Sequence, residues 1–216
     1  MSINILPKKD DTLDTEIVPA GRWRWYHGIT QYIIVQVLTF GLAGLVSIAR
    51  DKGRQERSKS IFTDNSYFKR LKQAKITPPS WAFGPAWTIN NASVIYGQLR
   101  VLNKPANTPG RTAYLALQAA TWLDYIAFNA AYFSLRSPIN AFVLTLLFFV
   151  LTIASGFVAI FRLKDTRVAL SLATLFVWLL IALTAATAQA LWNRDEFYNV
   201  GPFVEPVPAL LKETVR

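Results

Sequence analysis

Five long stretches of the sequence are almost free of charged residues, and this feature constrains the fold more than any other. The first stretch, 29–49, contains 21 residues and no Lys, Arg, Asp or Glu. A helix of about 20 residues crosses the roughly 30 Å hydrocarbon core of a bilayer. The sequence therefore predicts an all-α integral membrane protein, built as a bundle of five transmembrane helices. The predicted spans are 29–49, 81–99, 112–135, 137–161 and 168–192.

Composition and charge agree with a membrane location. Charged residues make up 17% of the chain, whereas an average soluble domain has about 25%. Basic residues lie beside the apolar spans, so attraction to anionic lipid explains the net charge of +10 better than nucleic-acid binding does. We expect a multi-pass protein of a bacterial cell membrane or a eukaryotic organellar membrane. Its expected partner is the lipid bilayer, with no nucleic acid.

The residue inventory excludes several kinds of catalytic site. The chain has no Cys and a single His, His27. A thiol nucleophile, a disulfide framework and a Cys/His zinc site are therefore excluded. His27 lies in an aromatic and basic belt at 22–27, where we interpret it as an interfacial residue rather than a ligand. We expect no enzyme activity, no catalytic residue, no metal site and no required cofactor.

Three segments lie outside the predicted spans. Residues 1–28 form a polar tail that ends in the interfacial belt, and residues 193–216 form a polar C-terminal tail. The first connection, 50–80, is strongly basic and is long for a compact bundle, so we predict a lid or a disordered loop there. The transmembrane domain is predicted to occupy 29–192, with the basic first connection on the inner side of the membrane.

The entrance to the second span carries the most distinctive run, Pro-Pro-Ser-Trp-Ala-Phe-Gly-Pro-Ala-Trp at 78–87. Proline fixes the backbone φ angle, and Trp suits a site that is apolar on one side and wet on the other. At helical spacing, one stripe of this span is aromatic and polar. It comprises Phe83, Trp87, Asn90, Asn91, Val94 and Gln98. Because lipid penalises unpaired amides, the stripe should face the bundle interior, either for interhelical hydrogen bonds or to line a ligand site.

The third span has two different faces. Its aromatic and polar face suits a cavity and comprises Gln118, Trp122, Tyr125, Asn129, Tyr132 and Phe133. The opposite face is rich in Ala and suits close approach of another helix, such as one from a second protomer. Asp124, at the edge of the Ala-rich face, is the only acid in any predicted span. It is interpreted either as a partner in an interhelical hydrogen bond or as a proton or ligand site.

The run at 78–87, together with five helices and a long first connection, resembles the TspO/translocator family. These are the tryptophan-rich sensory proteins, also called peripheral-type benzodiazepine receptors. Tyr67-Phe68-x-x-Leu71 upstream and Tyr96-Gly97 downstream also fit the family pattern. The resemblance covers roughly residues 25–195.

This sequence departs from the family pattern at several positions. Ala74 stands where the family usually has Pro, and Ala188 stands where Asn is usual. In the third span, Tyr125 and Phe128 replace the family's Asn and Trp. Aromatic character is retained there, but the polar groups of the family's pocket are altered.

The resemblance implies a compact five-helix bundle, often a homodimer, with a cavity beneath the first connection. In the family this cavity accepts porphyrins, sterols or synthetic aromatic ligands. The motif assigns Pro79, Trp81, Phe83, Pro85 and Trp87 to the cavity or its rim. The two inward stripes add further candidate ligand-binding residues. These are Asn91, Trp122, Tyr125 and Asn129.

Together these observations predict a membrane receptor for a flat hydrophobic ligand, such as a porphyrin, a heme, a sterol or another lipid. Its expected role is ligand traffic or stress sensing. The alternative is a transporter or channel for a small solute or for protons that uses Asp124. Porphyrin degradation ranks lower, because the chain has no metal-ligand cluster and no pair of histidines.

Overall fold

The computed structural model describes residues 22–51 and 65–212, and the regular structure within them is helical. Five of the helices are long. They are α1 (Trp25–Asp51), α3 (Phe83–Leu102), α4 (Arg111–Asn129), α5 (Pro138–Phe157) and α7 (Ala173–Trp192). Two further helices, α2 (Asn65–Arg70) and α6 (Thr166–Ser171), have six residues each. The π-helical turns Ala130–Ser134 and Val158–Arg162 extend α4 and α5, and a 3₁₀ turn, Ser80–Ala82, precedes α3.

Local capping fixes where α5 and α6 begin. The Ser137 hydroxyl accepts a hydrogen bond from the Asn140 amide at 3.0 Å, and Pro138 occupies the first helical position. The Asp165 carboxylate accepts from the Val168 amide at 3.3 Å and so caps α6. Side chains of this kind satisfy amides that the first helical turn leaves unbonded.

The long helices pack as a ring in the order α1, α4, α5, α7 and α3. The Trp23 amide donates to Asn103 Oδ1 at 3.0 Å, which places the start of α1 beside the end of α3. Since short connections join α3, α4, α5 and α6, successive long helices alternate in direction. One end of the bundle, here called the cavity end, therefore carries 71–82, 135–137 and 193–212. The opposite end carries 103–110 and 163–165.

Within the described residues, three helical stretches are long and apolar enough to cross a membrane: Trp25–Arg50, Pro138–Arg162 and Thr166–Trp192. They coincide with the predicted spans 29–49, 137–161 and 168–192. The other two predicted spans, 81–99 and 112–135, are helical at α3 and α4 but are more polar. Because α3 carries amides and α4 carries Asp124, length and composition alone do not mark these two helices as membrane spans.

A charged cluster closes the opposite end of the bundle. The Asp165 carboxylate lies 2.8 Å from Arg100 Nε and 2.7 Å from Lys104 Nζ, and its side chain is only 5% exposed. Burial raises the pKa of Asp165, but the hydrogen bonds from Lys104 and Arg100 outweigh burial and hold the pKa at about 2. The carboxylate is therefore ionised at neutral pH and joins α3 to the start of α6.

At the cavity end, the described part of the C-terminal segment, 193–212, packs against the first connection. The Lys75 amide donates to the Leu210 carbonyl at 2.8 Å, and the Lys212 amide donates to the Gln73 carbonyl at 2.8 Å. Asp195 is 1% exposed and accepts from the Ser137 hydroxyl at 2.6 Å. This segment is thus folded onto the bundle rather than extended away from it.

Parts of the predicted tails and of the predicted lid lie outside the described residues. These are 1–21 of the N-terminal tail, 52–64 of the first connection and 213–216 of the C-terminal tail.

Candidate functional site

A cavity of about 410 Å³ lies within the ring of long helices and reaches the cavity end of the bundle. This volume is within the range of roughly 300 to 1,000 Å³ that is usual for small-molecule sites. The described residues that line it include no Asp, Glu, Lys, Arg or His. The aromatic lining residues are Tyr32, Phe40, Phe68, Phe83, Trp87, Tyr125, Phe128, Tyr132, Phe133, Phe148 and Trp178.

Trp87 is central to the aromatic wall. Its ring stacks on Phe148, with centroids 5.7 Å apart and an interplanar angle of 26°. It also meets Tyr125 edge-on at 5.3 Å and Trp178 edge-on at 6.4 Å. Aromatic pairs at these separations and angles attract each other beyond their shared burial. The wall is therefore a preformed aromatic surface against which a flat ligand can pack.

The roof of the cavity comes from α2 and its neighbours. Phe68 meets Phe83 edge-on at 5.4 Å, and Tyr67 meets Tyr132 edge-on at 6.0 Å. Burial raises the pKa of Tyr67, and the nearby carboxylates of Glu196 and Asp195 raise it further. The phenol is therefore neutral at physiological pH. Aromatic side chains therefore cover part of this end of the bundle.

Polar groups in the cavity are amides and hydroxyls. Gln36 on α1, Asn129 on α4 and Gln189 on α7 all line it. The Tyr125 hydroxyl donates to Gln36 Oε1 at 3.0 Å, and the Tyr132 hydroxyl donates to Gln189 Oε1 at 2.6 Å. The cavity thus combines a large apolar surface with a few oriented polar groups, as ligand sites commonly do.

Some of the predicted ligand-binding residues line this cavity and others do not. Those that line it are Phe83, Trp87, Tyr125 and Asn129. Those that do not are Pro79, Trp81, Pro85, Asn91 and Trp122. Trp81 is 75% exposed and points away from the bundle core. Pro79 instead fixes the extended backbone, with φ of −65°, just before the turn that leads into α3.

Asn91 and Trp122 lie one layer behind the cavity wall. Asn91 Nδ2 donates to the Tyr125 hydroxyl at 3.1 Å, so Asn91 supports a residue that does line the cavity. Trp122 Nε1 donates to Gln98 Oε1 at 2.9 Å, and Gln31 Nε2 donates to the same oxygen at 3.1 Å. This part of the predicted aromatic and amide stripes therefore forms interhelical hydrogen bonds.

Asp124 is buried in α4, with 5% exposure, but does not line the cavity. Neither of its carboxyl oxygens has a hydrogen-bond partner within the described part of the chain. The interhelical hydrogen bond that one interpretation predicts is therefore not formed there. The other interpretation, a proton or ligand site, stays a prediction.

Sequence reasoning did not select Gln36 and Gln189 as site residues. The signal that could have found them is an uncharged amide within an otherwise apolar span, which lipid penalises unless the amide faces inward. Gln189 also follows small lining residues on the same helix, Ala182, Ala185 and Ala186, which leave room for a cavity.

Comparison with known proteins gives one assignment. The model of the TspO/MBR family matches residues 34–192, a range that includes all of α3 to α7 and most of α1. No curated protein matches the sequence significantly. Because the family model covers most of the chain, the protein belongs to the TspO/MBR family.

Proposed function

We propose that the protein is a membrane receptor that binds a flat hydrophobic ligand, such as a porphyrin or a sterol, and acts in ligand traffic or stress sensing. The observation that carries this proposal is the cavity with an aromatic wall and no charged lining residue among those described. Membership of the TspO/MBR family supports a binding or sensing role in a membrane.

The mouth of the cavity can accommodate the acidic groups of a porphyrin. Lys212 Nζ donates to the carbonyl oxygen of Thr77 at 3.0 Å, and Thr77 lines the cavity. The ammonium therefore lies at the rim rather than inside. A porphyrin would place its apolar ring against Trp87 and leave a propionate near Lys212, where a charge-assisted contact would form.

A fluorescence titration tests the proposal. Protoporphyrin added to the purified protein should quench tryptophan fluorescence in a saturable way. Trp87→Leu should weaken binding by about tenfold or more, because it removes the ring that stacks on Phe148. Trp81→Leu is the matched control and should bind as the unaltered protein does, since Trp81 does not line the cavity. If Trp87→Leu and Trp81→Leu bind protoporphyrin with equal affinity, the ligand does not bind against Trp87.

The second candidate function is transport of protons or a small solute through Asp124. The observation that favours it is the buried carboxyl group without a hydrogen-bond partner among the described residues. Liposomes containing the protein should then show a proton or solute flux that Asp124→Asn abolishes. Absence of flux in the unaltered protein would eliminate this candidate.

We also propose that the protein forms a homodimer. The Ala-rich face of α4 is exposed at Ala113 and Ala116, where a helix of a second protomer could approach closely. Ala116→Leu should then shift the purified protein from dimer to monomer in size-exclusion chromatography with light scattering. A monomeric unaltered protein would contradict the homodimer.

A further inference from the structure

The C-terminal segment 193–212 is bonded at both of its ends to the part of the first connection that lies at the mouth of the cavity. At the start of the segment, the Lys72 amide donates to Asn193 Oδ1 at 2.7 Å, and Asn193 Nδ2 donates to the Lys72 carbonyl oxygen at 3.0 Å. Near its end, Leu211 pairs with Ala74 as an antiparallel bridge. The first connection is therefore held at two separate points.

The pairing of Ala74 with Leu211 combines backbone bonds with apolar packing. An amide hydrogen bond of 2.8 Å flanks the pair on each side. The Leu211 side chain packs against Ala74 and against Ala188 and Trp192 of α7. Ala74 is only 7% exposed, so the contact excludes water from the side of the first connection. The end of the segment is thus fixed to α7 and to the first connection together.

A single turn carries this contact to the cavity. The Thr77 amide donates to the Ala74 carbonyl oxygen at 2.9 Å, and Thr77 and Pro78 line the cavity. The Lys212 ammonium adds a hydrogen bond to the Thr77 carbonyl oxygen at 3.0 Å. Residues 193–212 are all described, and none of them lines the cavity. The segment therefore acts on the cavity by fixing the position of Thr77 and Pro78.

The segment can separate from the bundle without unfolding it. Many of its side chains face away from the protein, such as Val207 and Leu210, which are 51% and 56% exposed. Its contact with the end of α7 includes backbone bonds from the Phe203 and Val204 amides to the Leu191 carbonyl oxygen. Elements that bury few side chains open locally at a lower free energy than global unfolding requires.

We propose that the segment 193–212 is a clamp that controls access to the cavity. While it is paired with residues 72–77, it holds the first connection over the mouth and slows the entry and release of ligand. When it separates, Thr77 and Pro78 are free to move and the mouth opens. The clamp lies beyond residues 34–192, the part of the chain that matches the TspO/MBR family. This inference rests on the proposed binding function and specifies how the same cavity is regulated.

An engineered disulfide tests the closed state of the clamp. The chain has no Cys. A pair flanked by amide bonds in this pattern places its Cα atoms about 4.5 Å apart, which a disulfide can span. In the double variant Ala74→Cys/Leu211→Cys, oxidation should slow the release of protoporphyrin about tenfold or more. Dithiothreitol should restore fast release. Release into porphyrin-free liposomes is followed by the recovery of tryptophan fluorescence, and each single Cys variant is a control that should not respond to the oxidant.

A second variant tests the open state without a ligand. Leu211→Asp places a carboxylate against Ala188 and Trp192 and should release the clamp. Access is measured as the rate at which N-ethylmaleimide modifies the thiol of Ala185→Cys, since Ala185 lines the cavity and is only 6% exposed. Leu211→Asp should raise this rate about five- to tenfold, as a shift in the local opening equilibrium implies. Leu210→Asp is the matched control and should leave the rate unchanged, because Leu210 is exposed. Circular dichroism should show the same helix content in both variants.

The possible results separate the clamp from the binding function on which it rests. If neither the disulfide nor Leu211→Asp changes its rate, the clamp is wrong while ligand binding stands. If Leu210→Asp raises the maleimide rate as much as Leu211→Asp does, the added charge is responsible and the clamp is again wrong. If the unaltered protein does not bind protoporphyrin, the proposed function fails, and the maleimide rates alone decide whether the segment controls access.

Discussion

The guanidinium of Arg50 lies 2.9 Å from the carboxylate of Glu196, although the two residues are 146 positions apart in the sequence. Arg50 is in the last turn of α1, and its second terminal nitrogen donates to the Ser134 carbonyl at 2.9 Å. Arg136 approaches the same Glu196 oxygen at 3.3 Å. One carboxylate thus joins α1, the turn after α4 and the C-terminal segment at the cavity end.

Removal of the negative charge of Glu196 should destabilise the fold. Because the Arg50 side chain is only 19% exposed, Glu196→Gln should lower the free energy of unfolding by about 1 kcal/mol. Glu205→Gln is the matched control, since Glu205 is 86% exposed and lies 3.8 Å from Lys72. Thermal unfolding in micelles, followed by circular dichroism, compares the two. Equal unfolding midpoints for the two variants would show that the contact between Arg50 and Glu196 contributes nothing measurable to stability.

Asp165 should make stability depend on pH in the acid range. Its folded pKa of about 2 lies below the ordinary value of 3.8, so its contribution is fully present above about pH 4. The contribution is lost as the pH falls from about 4 towards 2, and amounts to about 2 kcal/mol. The unaltered protein should therefore be more stable than Asp165→Asn at pH 6. The difference in stability between the two proteins should shrink towards zero near pH 2. A difference that stays constant with pH would contradict the lowered pKa of Asp165.

Gly97 allows α3 and α6 to approach each other. A Cβ at this position would clash with Ser171 Oγ, which is held by a hydrogen bond to the Val168 carbonyl at 2.7 Å. Gly97→Ala should therefore lower the free energy of unfolding by about 1 to 3 kcal/mol. At Gly41 on α1, an added Cβ meets nothing within 4 Å. Gly41→Ala should be neutral or slightly stabilising, as measured by denaturant unfolding in micelles.

Lys212 should distinguish acidic ligands from neutral ones. Its ammonium lies at the rim of the cavity, 3.0 Å from the Thr77 carbonyl oxygen. Lys212→Met should therefore weaken protoporphyrin binding about three- to tenfold, as the loss of one charge-assisted contact implies. It should leave unchanged the binding of fluorene, a flat aromatic hydrocarbon without charge. Lys72→Met is the control, because the Lys72 ammonium pairs with Glu205. A loss of affinity for both ligands would indicate a change in the rim structure rather than a lost charge.

Hydropathy predicted the long helices well because lipid imposes a strong and local requirement on every residue of a span. The predicted third span, 112–135, corresponds to α4 and its π-helical extension to Ser134. The fold of 193–212 was not predictable in this way. Its contacts, such as the pairing of Ala74 with Leu211, join segments that are far apart in sequence and leave no local pattern.

The site was predictable only in part, for a related reason. Helical spacing shows which residues share a face, and it placed Trp87 and Tyr125 on the inward faces of their own helices, where the structure brings the two rings together. It does not show which neighbouring helix meets that face. Trp122 shares the face of Tyr125, yet it meets Gln98 rather than the cavity. Residues that come from α1 and α7, such as Gln36 and Gln189, become visible only when the helices are assembled.

The uncharged lining has a consequence for the energetics of a protein embedded in a polarised membrane. Each elementary charge that moves through the full potential changes the free energy by about 2.3 kcal/mol per 100 mV. A neutral ligand that enters the cavity moves no charge through this field, because the described lining residues are uncharged as well. Occupancy by such ligands should therefore follow their concentration in the lipid and be indifferent to whether the host membrane is energised.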